Sequence, residues 1–178
     1  METTLATSVI LIGMPGSGKT SVGHRVANML EVQFIDTDAI IVERCGRDLQ
    51  QIINEDGHEF FLKMEEKVLC ELNPESPAII STGGSAVLSD KGMQVVKSLG
   101  KIVFLDCSEA TLSTRIRTFK SRGIILNSRT KSAEEALSLL YQSRHPLYER
   151  YADFTVNMDH TTVNEAVNRV LSVIDNLS

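Results

Sequence analysis

Residues 9–20 decide the fold, and they read Val9-Ile10-Leu11-Ile12-Gly13-Met14-Pro15-Gly16-Ser17-Gly18-Lys19-Thr20. A short apolar run is followed by a glycine-rich turn that fits the pattern GxxxxGK[ST]. Glycines let the backbone curl so that successive N–H groups point at phosphate oxygens, and the start of a following helix adds the positive end of its dipole. The stretch therefore predicts a strand, a phosphate-binding loop (the P-loop) and a helix.

The residue types in this loop indicate a nucleotide site. Lys19 should reach the β- and γ-phosphates of ATP, and the Thr20 hydroxyl should bind Mg²⁺. We expect the loop as a whole to hold the nucleotide through Gly13, Pro15, Gly16, Ser17, Gly18, Lys19, Thr20 and Ser21. The alternative is a glycine-rich turn that matches by chance. The strand before the loop and the helical spacing of Val22 and Val26 after it favour nucleotide binding.

Short β-rich runs recur along the chain. They cover residues 9–12, 33–35, 78–80, 101–105 and 154–156. Continuous apolar runs, unlike alternating ones, indicate strands that are buried on both faces, as in a parallel sheet. Apolar residues at helical spacing separate the runs and also follow the last one, as at Val163, Val167 and Val170. Alternating strands and helices predict an α/β fold with helices on both faces of the sheet.

Composition narrows the class of protein. A chain of 178 residues suits a single domain over residues 1–178, and 42% hydrophobic residues are enough for a core. The net charge of −5 argues against a nucleic-acid binder. An odd number of cysteines without a CxxC pair fits free thiols in a reducing compartment. The N-terminus lacks a signal-peptide pattern. No apolar run approaches the roughly 20 residues that a membrane span needs. We expect a cytoplasmic protein without a membrane partner.

Two carboxylates lie at the end of the second predicted strand. Asp36 and Asp38 would lie at its carboxyl end, which in a doubly wound sheet faces the ligand crevice. One carboxylate can hold the metal while the other meets an acceptor hydroxyl, and we assign Asp36 to Mg²⁺ and Asp38 to the acceptor. The alternative is that one of them, with Asp38 the candidate, only caps a helix beginning at Ala39.

Glycines after the third strand and arginines in the last third of the chain complete the candidate site. Gly83 and Gly84 allow close approach of the backbone to a ligand, or form an ordinary tight turn. Residues 118–131 show little periodicity, and we expect a mobile lid that brings Arg122 to the transferring phosphoryl group. Arg144 could offer its guanidinium to a substrate carboxylate, the alternative being a solvated surface. The four histidines are interpreted as surface or capping residues.

Over nearly its full length the chain resembles the shikimate kinase family. The resemblance rests on the P-loop, Asp36 and Asp38, the run Gly46-Arg47-Asp48-Leu49 to Ile52-Ile53 with Gly57, and Arg144-His145-Pro146-Leu147-Tyr148. It implies a nucleoside monophosphate kinase-like three-layer sandwich with a five-stranded parallel sheet in the order 2-3-1-4-5, a substrate-binding region at about 38–72 and a lid at about 118–131. It also implies an adenine-stacking role for Arg115, an adenine loop at 157–162 and a lid role for Arg122. Acceptor contacts are implied for Asp38, Leu62, Glu65, Gly83, Gly84 and Arg144.

The acceptor half of the resemblance departs from the family pattern. Where the family has Phe-Arg-x-x-Glu, with the arginine on the substrate carboxylate, this chain has Leu62 in the arginine position. Ser85 stands where the glycine loop has its third glycine, and the lid reads Arg122-Gly123-Ile124-Ile125 instead of Arg-Pro-Leu-Leu. Glu65 remains on an otherwise apolar helix face, so we expect it to have a polar partner such as Arg144.

These observations predict phosphoryl transfer from Mg-ATP to a small hydroxylated molecule. Lys19, Asp38 and Arg122 are the expected catalytic residues, with Thr20 and Asp36 on the metal. Shikimate is the first choice of acceptor, and the alternatives are another small hydroxy acid, polyol or hydroxy amino acid. A nucleotide-binding regulator without transfer activity is a third alternative, against which the intact Asp38 and Arg122 count. We expect the protein to be a monomer.

Overall fold

The computed structural model describes residues 5–118 and 132–176. The strands are β1 (Ser8–Ile12), β2 (Phe34–Asp36), β3 (Ile79–Ser81), β4 (Gly100–Asp106) and β5 (Phe154–Asn157). The helices are α1 (Lys19–Leu30), α2 (Thr37–Cys45), α3 (Leu49–Asp56), α4 (His58–Glu71), α5 (Asp90–Leu99), α6 (Glu109–Thr118), α7 (Ala133–Tyr151) and α8 (Val163–Asp175), with a 3₁₀ turn at Ala86–Leu88. Within these ranges no helix combines the length and apolar character needed to cross a bilayer.

The five strands form one parallel sheet in the order β2-β3-β1-β4-β5, which confirms the predicted fold. In the centre, Ile10 of β1 lies opposite Ile80 of β3 on one side and Ile102 of β4 on the other. Residues 9–12 are completely buried. Because successive side chains of a strand point to opposite faces, burial of all of them means that both faces of the sheet are covered.

Helix α1 packs very closely on the sheet. A Cβ built on Gly23 would lie 2.7 Å from the ring of Phe34 and 3.0 Å from a methyl group of Leu11. Only a residue without a side chain allows this approach. The close packing holds the N-terminus of α1, and with it the end of the P-loop, against the carboxyl ends of the strands.

A second hydrophobic cluster lies beside the sheet core. It consists of Ile41, Ile52, Ile53, Phe61 and Val68 from α2, α3 and α4. Helix α3 begins with a capping box, in which the Asp48 side chain and Gln51 exchange hydrogen bonds with each other's backbone N–H. These three helices pack together at the carboxyl edge of β2 and carry Asp38 and Glu65, while α4 also packs against the sheet core.

Candidate active site

The carboxyl ends of the strands bring the candidate residues together at one edge of the sheet. The P-loop follows β1, Asp36 ends β2, and Gly83 follows β3. Since β1 lies between β3 and β4, its end is the point where the strand order reverses, which is the usual ligand crevice of open α/β sheets. A cleft of about 360 Å³ opens here. Its lining includes Lys19, Thr20, Asp36, Asp38, Gly84, Ser85 and Arg144.

Three glycines shape the P-loop. Gly13, Gly16 and Gly18 have φ of 147°, 83° and 102°, where other residues are strained. Gly13 is also confined, because a Cβ on it would lie 2.7 Å from the carbonyl oxygen of Leu105. The buried hydroxyl of Ser17 has no hydrogen-bond partner within the described part of the chain. A phosphate oxygen of a bound nucleotide would supply one.

Lys19 is buried at the start of α1. Its Nζ donates to the carbonyl oxygens of Gly13 and Met14 at 2.7 and 2.9 Å. Burial lowers the pKa of Lys19 from 10.5 to about 8, although the charges of Asp38 and Asp36 oppose this change. Loss of solvent therefore penalises the ammonium more than the carboxylates favour it. A phosphate group in the loop would favour the ammonium again.

Asp36 has different partners on its two carboxylate oxygens. Oδ1 accepts hydrogen bonds from the N–H groups of Asp38 and Ala39 at 3.0 and 3.3 Å, and so caps α2. Oδ2 accepts one from the hydroxyl of Thr20 at 2.9 Å. The alternative that Asp38 caps a helix from Ala39 is therefore wrong. The helix begins at Thr37, because Asp36 is the extended residue whose side chain reaches the free N–H groups.

The pair of Thr20 and Asp36 fits a magnesium ion. Mg²⁺ takes oxygen ligands and is usually held by one or two protein groups, while waters and substrate phosphates complete its shell. In the described ranges no group of three or more His, Cys, Asp or Glu residues could hold a metal by itself. The donor set is thus suited to an ion that arrives with the nucleotide.

Asp38 lies half-buried in the first turn of α2, and its Oδ1 is buried. Oδ1 has no hydrogen-bond partner among the residues that the structure describes. Burial and the nearby charge of Asp36 raise the pKa of Asp38 from 3.8 to about 6, while Lys19 acts in the opposite direction. A carboxylate with a free oxygen and a pKa this close to neutrality can accept a hydrogen bond or a proton from a substrate hydroxyl.

Gly83 lies between two carboxylates. Its N–H donates to the hydroxyl of Thr37 at 3.1 Å. A Cβ built on Gly83 would overlap Oε1 of Glu65 and would lie 2.6 Å from Oδ1 of Asp38. The absence of a side chain at this position therefore lets both carboxylates approach the same point.

Glu65 is buried and has Ser85 as its hydrogen-bond partner. The hydroxyl of Ser85 donates to Oε2 of Glu65 at 2.6 Å, whereas Oε1 has no partner in the ranges described. Burial raises the pKa of Glu65 from 4.5 to about 7, against the hydrogen bond from Ser85 and the charge of Arg144. The expectation that Arg144 is the partner is corrected: Arg144 acts on Glu65 through its charge, and Ser85 makes the hydrogen bond.

Arg144 is buried in the middle of α7. It is hydrogen-bonded to the hydroxyl of Tyr148 one turn further on, and this hydroxyl donates to the carbonyl oxygen of Gly84 at 2.5 Å. Gly84 in turn packs against Pro15, since a Cβ on it would lie 2.7 Å from that ring. The P-loop, the loop after β3 and α7 are thus joined, and the guanidinium of Arg144 is held at the cleft.

Leu62 lies behind the cleft. It lines a smaller cavity of about 150 Å³ together with Glu65, Ser85 and Leu88, whereas the residues that line the main cleft do not include it. Ser85 lines both cavities. Leu62 therefore lies beside the Ser85–Glu65 pair and outside the lining of the main cleft.

Arg115 joins the P-loop to the segment after β5. Its guanidinium donates to the carbonyl oxygens of Ser17 and Met158, both at 3.1 Å. The predicted adenine loop at 157–162 therefore lies next to Arg115, and the role of this arginine on the adenine ring stays a prediction. Ser21 lies exposed in the first turn of α1. Arg122 and the predicted lid beyond Thr118 lie outside the described residues.

Sequence reasoning missed the place of His145. This side chain is partly buried, and its Nε2 is hydrogen-bonded to Oδ1 of Asp106 at 3.1 Å. Its ring also packs against Phe104 and Tyr141. The interpretation of His145 as a surface or capping residue is wrong, because α7 packs along β4 and encloses the ring. The contact fastens α7 to β4 one residue away from Arg144, and no local pattern in the sequence signals it.

The chain is similar to shikimate kinases in sequence. A family profile described as shikimate kinase matches residues 15–175. The shikimate kinase of Actinobacillus pleuropneumoniae serotype 5b (strain L20) is 34% identical over 170 residues, which cover 96% of this chain and 96% of that protein. The similarity therefore extends over the P-loop, the acceptor region and α7.

Solved structures agree with the sequence similarity. A shikimate kinase from Acinetobacter baumannii in complex with shikimate superposes with a TM-score of 0.87 at 26% identity, covering 97% of this chain and 94% of that one. A shikimate kinase from Bacteroides thetaiotaomicron has a TM-score of 0.82 at 28% identity, with coverages of 95% and 98%. The cleft described above lies in a fold that these enzymes share.

Proposed function

Because the chain belongs to the shikimate kinase family, we propose that it transfers the γ-phosphoryl group of ATP to shikimate and forms shikimate 3-phosphate. One observation carries the proposal beyond similarity. A single cleft brings together the buried Lys19 of the P-loop, the Thr20–Asp36 pair, the partly unsatisfied carboxylate of Asp38 and the buried Arg144. These are the groups that phosphoryl transfer to a hydroxyl on an anionic molecule needs.

The nucleotide half of the cleft suits ATP with Mg²⁺, the cofactors of this family. The P-loop N–H groups and Lys19 bind phosphate oxygens, and Thr20 and Asp36 hold the ion, which when bound draws negative charge from the phosphates. The hydroxyl of Ser17, which has no partner among the described residues, would donate to a phosphate oxygen. Arg122 remains the predicted residue that stabilises charge on the transferring group.

The acceptor half offers two recognition elements of opposite charge. Asp38 accepts a hydrogen bond from the reacting hydroxyl, orients it and takes up its proton as the new bond to phosphorus forms. Arg144 pairs with the carboxylate of the acceptor. Most of the rate then comes from positioning and electrostatics, since phosphoryl transfer asks little covalent chemistry of the protein.

A second acceptor class is favoured by one observation. The family pattern has an arginine where this chain has Leu62, and the structure gives that region an apolar side chain next to Glu65. Arg144 is then the remaining residue predicted to pair with a carboxylate of the acceptor. The second candidate for the acceptor is therefore another small hydroxy acid, a polyol or a hydroxy amino acid.

A coupled assay decides between the acceptors. ADP release is measured with Mg-ATP alone, with shikimate, and with a panel of hydroxy acids, polyols and hydroxy amino acids. We expect release that depends on shikimate and a phosphorylated product by mass spectrometry. Shikimate-independent release that another acceptor raises would move the function to the second class. No transfer to any acceptor would point to a nucleotide-binding regulator.

Leu62→Arg should change the use of shikimate. A charge-assisted hydrogen bond contributes about 1.5–3 kcal/mol, so we expect the KM for shikimate to fall about ten- to a hundredfold while the KM for ATP stays the same. If another molecule is the natural acceptor, the same change should impair its use and improve that of shikimate. Steady-state kinetics with each acceptor give both values.

Leu62→Met is the matched control, since it keeps the apolar character and the approximate volume without a charge. It should leave both KM values near those of the wild type. Equal KM values for shikimate in the wild type and in Leu62→Arg would show that residue 62 does not contact the acceptor.

We also propose that the protein works in the cytoplasm. The three cysteines, Cys45, Cys70 and Cys107, are free thiols in the structure, as expected in a reducing compartment. The monomeric state stays a prediction.

A further inference from the structure

The Ser85–Glu65 pair is the buried polar feature that the proposed reaction leaves unused. Glu65 is 2% exposed and Ser85 5%. Ser85 occupies Oε2 of Glu65 through its hydrogen bond of 2.6 Å. Two carboxylate oxygens then remain without a hydrogen-bond partner in the part of the chain that the structure describes: Oε1 of Glu65 and Oδ1 of Asp38.

These two oxygens converge. Both lie against Gly83, at the place where a Cβ on that glycine would be. Two ionised oxygens buried at one point repel each other, and each lacks a donor. One proton on Oε1 of Glu65 removes the repulsion and provides a donor for Oδ1 of Asp38.

Among the residues that the structure describes, none donates a hydrogen bond to Oε1 of Glu65. The charged and titratable groups that act on Glu65 are Asp38 of α2, Lys19 of α1, and Arg144 and Tyr148 of α7. Lys19 is hydrogen-bonded to P-loop carbonyls. Tyr148 donates to Gly84 and takes a hydrogen bond from Arg144.

We propose that Ser85 and Glu65 form a positioning chain for Asp38, in which the Ser85 hydroxyl donates to Oε2 of a neutral Glu65 and Oε1–H of Glu65 donates to Oδ1 of Asp38. Ser85 favours the proton on Oε1, because the carbonyl oxygen of a carboxylic acid accepts a hydrogen bond better than its hydroxyl oxygen does. The chain turns the other oxygen of Asp38, Oδ2, toward the acceptor. The positioning chain rests on the proposed function at one point, because it takes Asp38 as the residue that contacts the acceptor hydroxyl.

A neutral Glu65 has a second effect on the same site. An ionised Glu65 would offset the positive charge of Arg144, which the acceptor carboxylate needs. With Glu65 protonated, the full charge of Arg144 remains available to that carboxylate. The raised pKa of Glu65, about 7, agrees with a proton held in the lower part of the neutral range.

Glu65→Gln tests the chain, since its amide always donates to Asp38 while its carbonyl accepts from Ser85. The pH dependence of kcat/KM for the acceptor is measured at saturating Mg-ATP, where phosphate keeps Lys19 charged. We expect the wild type to lose activity as pH rises through about 7, because Glu65 gives up its proton. Glu65→Gln should keep at least about a third of the wild-type value at pH 6 and move the alkaline midpoint upward by about one pH unit or more.

Glu66→Gln is the matched control. Glu66 makes an equivalent pair with Ser89, whose hydroxyl donates to Oε2 of Glu66 at 2.6 Å, and it lines the small cavity and not the cleft. Its pH profile should equal that of the wild type. Ser85→Ala should lower kcat about tenfold without changing the KM for ATP, and Ser85→Thr, which keeps the hydroxyl, should restore it.

A loss of about a hundredfold in Glu65→Gln at every pH would overturn the proposal, because Glu65 would then be needed as an anion. The proposal would also be overturned if kcat/KM for the acceptor fell at the same alkaline pH in the wild type and in Glu65→Gln. Infrared difference spectra of the free protein, wild type against Glu65→Gln with ¹³C-labelled glutamate, should show a protonated carboxyl group at pH 6. This readout needs no acceptor, so it separates failure of the chain from failure of the shikimate kinase assignment.

Discussion

Lys19→Met is expected to lower kcat for phosphoryl transfer by about 10² or more while the protein stays folded. Methionine has nearly the length of lysine but no charge, so the phosphates lose a preorganised electrostatic partner. The hydrogen bonds of Nζ to Gly13 and Met14 are lost as well, although the Met14 carbonyl oxygen keeps the N–H of Ser17 as a partner at 3.1 Å. Single-turnover kinetics and a thermal melting curve measure the two quantities separately.

Lys101→Met provides the comparison, because Lys101 is exposed on β4 and lies outside the cleft. Its turnover should equal that of the wild type. A Lys19→Met protein that turns over within a few-fold of the wild type would exclude the assigned role of the P-loop lysine.

The lowered pKa of Lys19 makes the proton uptake on binding of Mg-ATP depend on pH. In the free protein the ammonium loses its proton as pH rises through about 8, and bound phosphate favours the protonated form. Binding of Mg-ATP above pH 8 should therefore take up a proton. Calorimetry in two buffers of different ionisation enthalpy measures this uptake, which Lys19→Met should abolish.

Asp38→Asn should lower kcat by about 10² with little change in the KM for ATP. The amide cannot take up the proton of the reacting hydroxyl, and a general base contributes about 10²–10⁴ to a rate. Asparagine has nearly the size and shape of aspartate and keeps one carbonyl oxygen, so the packing of α2 should be retained. Initial rates over a grid of ATP and acceptor concentrations separate kcat from the two KM values.

Asp36→Asn is the counterpart of this variant. Asp36 accepts from Thr20 and caps α2, and asparagine can cap a helix about as well as aspartate, so Asp36→Asn should raise the Mg²⁺ concentration needed for activity with little change in the melting temperature. If Asp38→Asn mainly weakened Mg-ATP binding and Asp36→Asn mainly affected the acceptor, the two roles would have to be exchanged.

The fold and the nucleotide half of the site could be predicted from the sequence because their signals are contiguous. The run from Val9 to Thr20 contains a strand, a loop and a helix start in one stretch, and each part follows from local geometry. The parallel sheet followed from apolar runs, since a strand buried on both faces cannot alternate. Errors were limited to boundaries, as at β2, which is predicted at 33–35 and observed at Phe34–Asp36.

The acceptor half could be predicted less well because its contacts join distant parts of the chain. Ser85 and Glu65 are 20 residues apart, and His145 and Asp106 are 39 apart. Neither pair has a spacing that a helix or strand would impose. Side-chain partners of this kind depend on how α4 and α7 pack against the sheet, and residue type alone led to Arg144, and not to Ser85, as the expected partner of Glu65.

The separate hydrophobic cluster of α2, α3 and α4 has a consequence for how this protein can diverge over generations. Asp38, Leu62 and Glu65 lie on helices that pack around Ile41, Ile52 and Phe61, whereas Lys19 follows a strand of the sheet core. Substitutions in clusters that share few contacts combine nearly additively in their effect on stability. Residues that contact only the second cluster can therefore change without weakening the sheet core, whereas Asp38 and Glu65 interact with Lys19 through their charges. Leu62 packs against this second cluster, which makes position 62 a site where such change is tolerated.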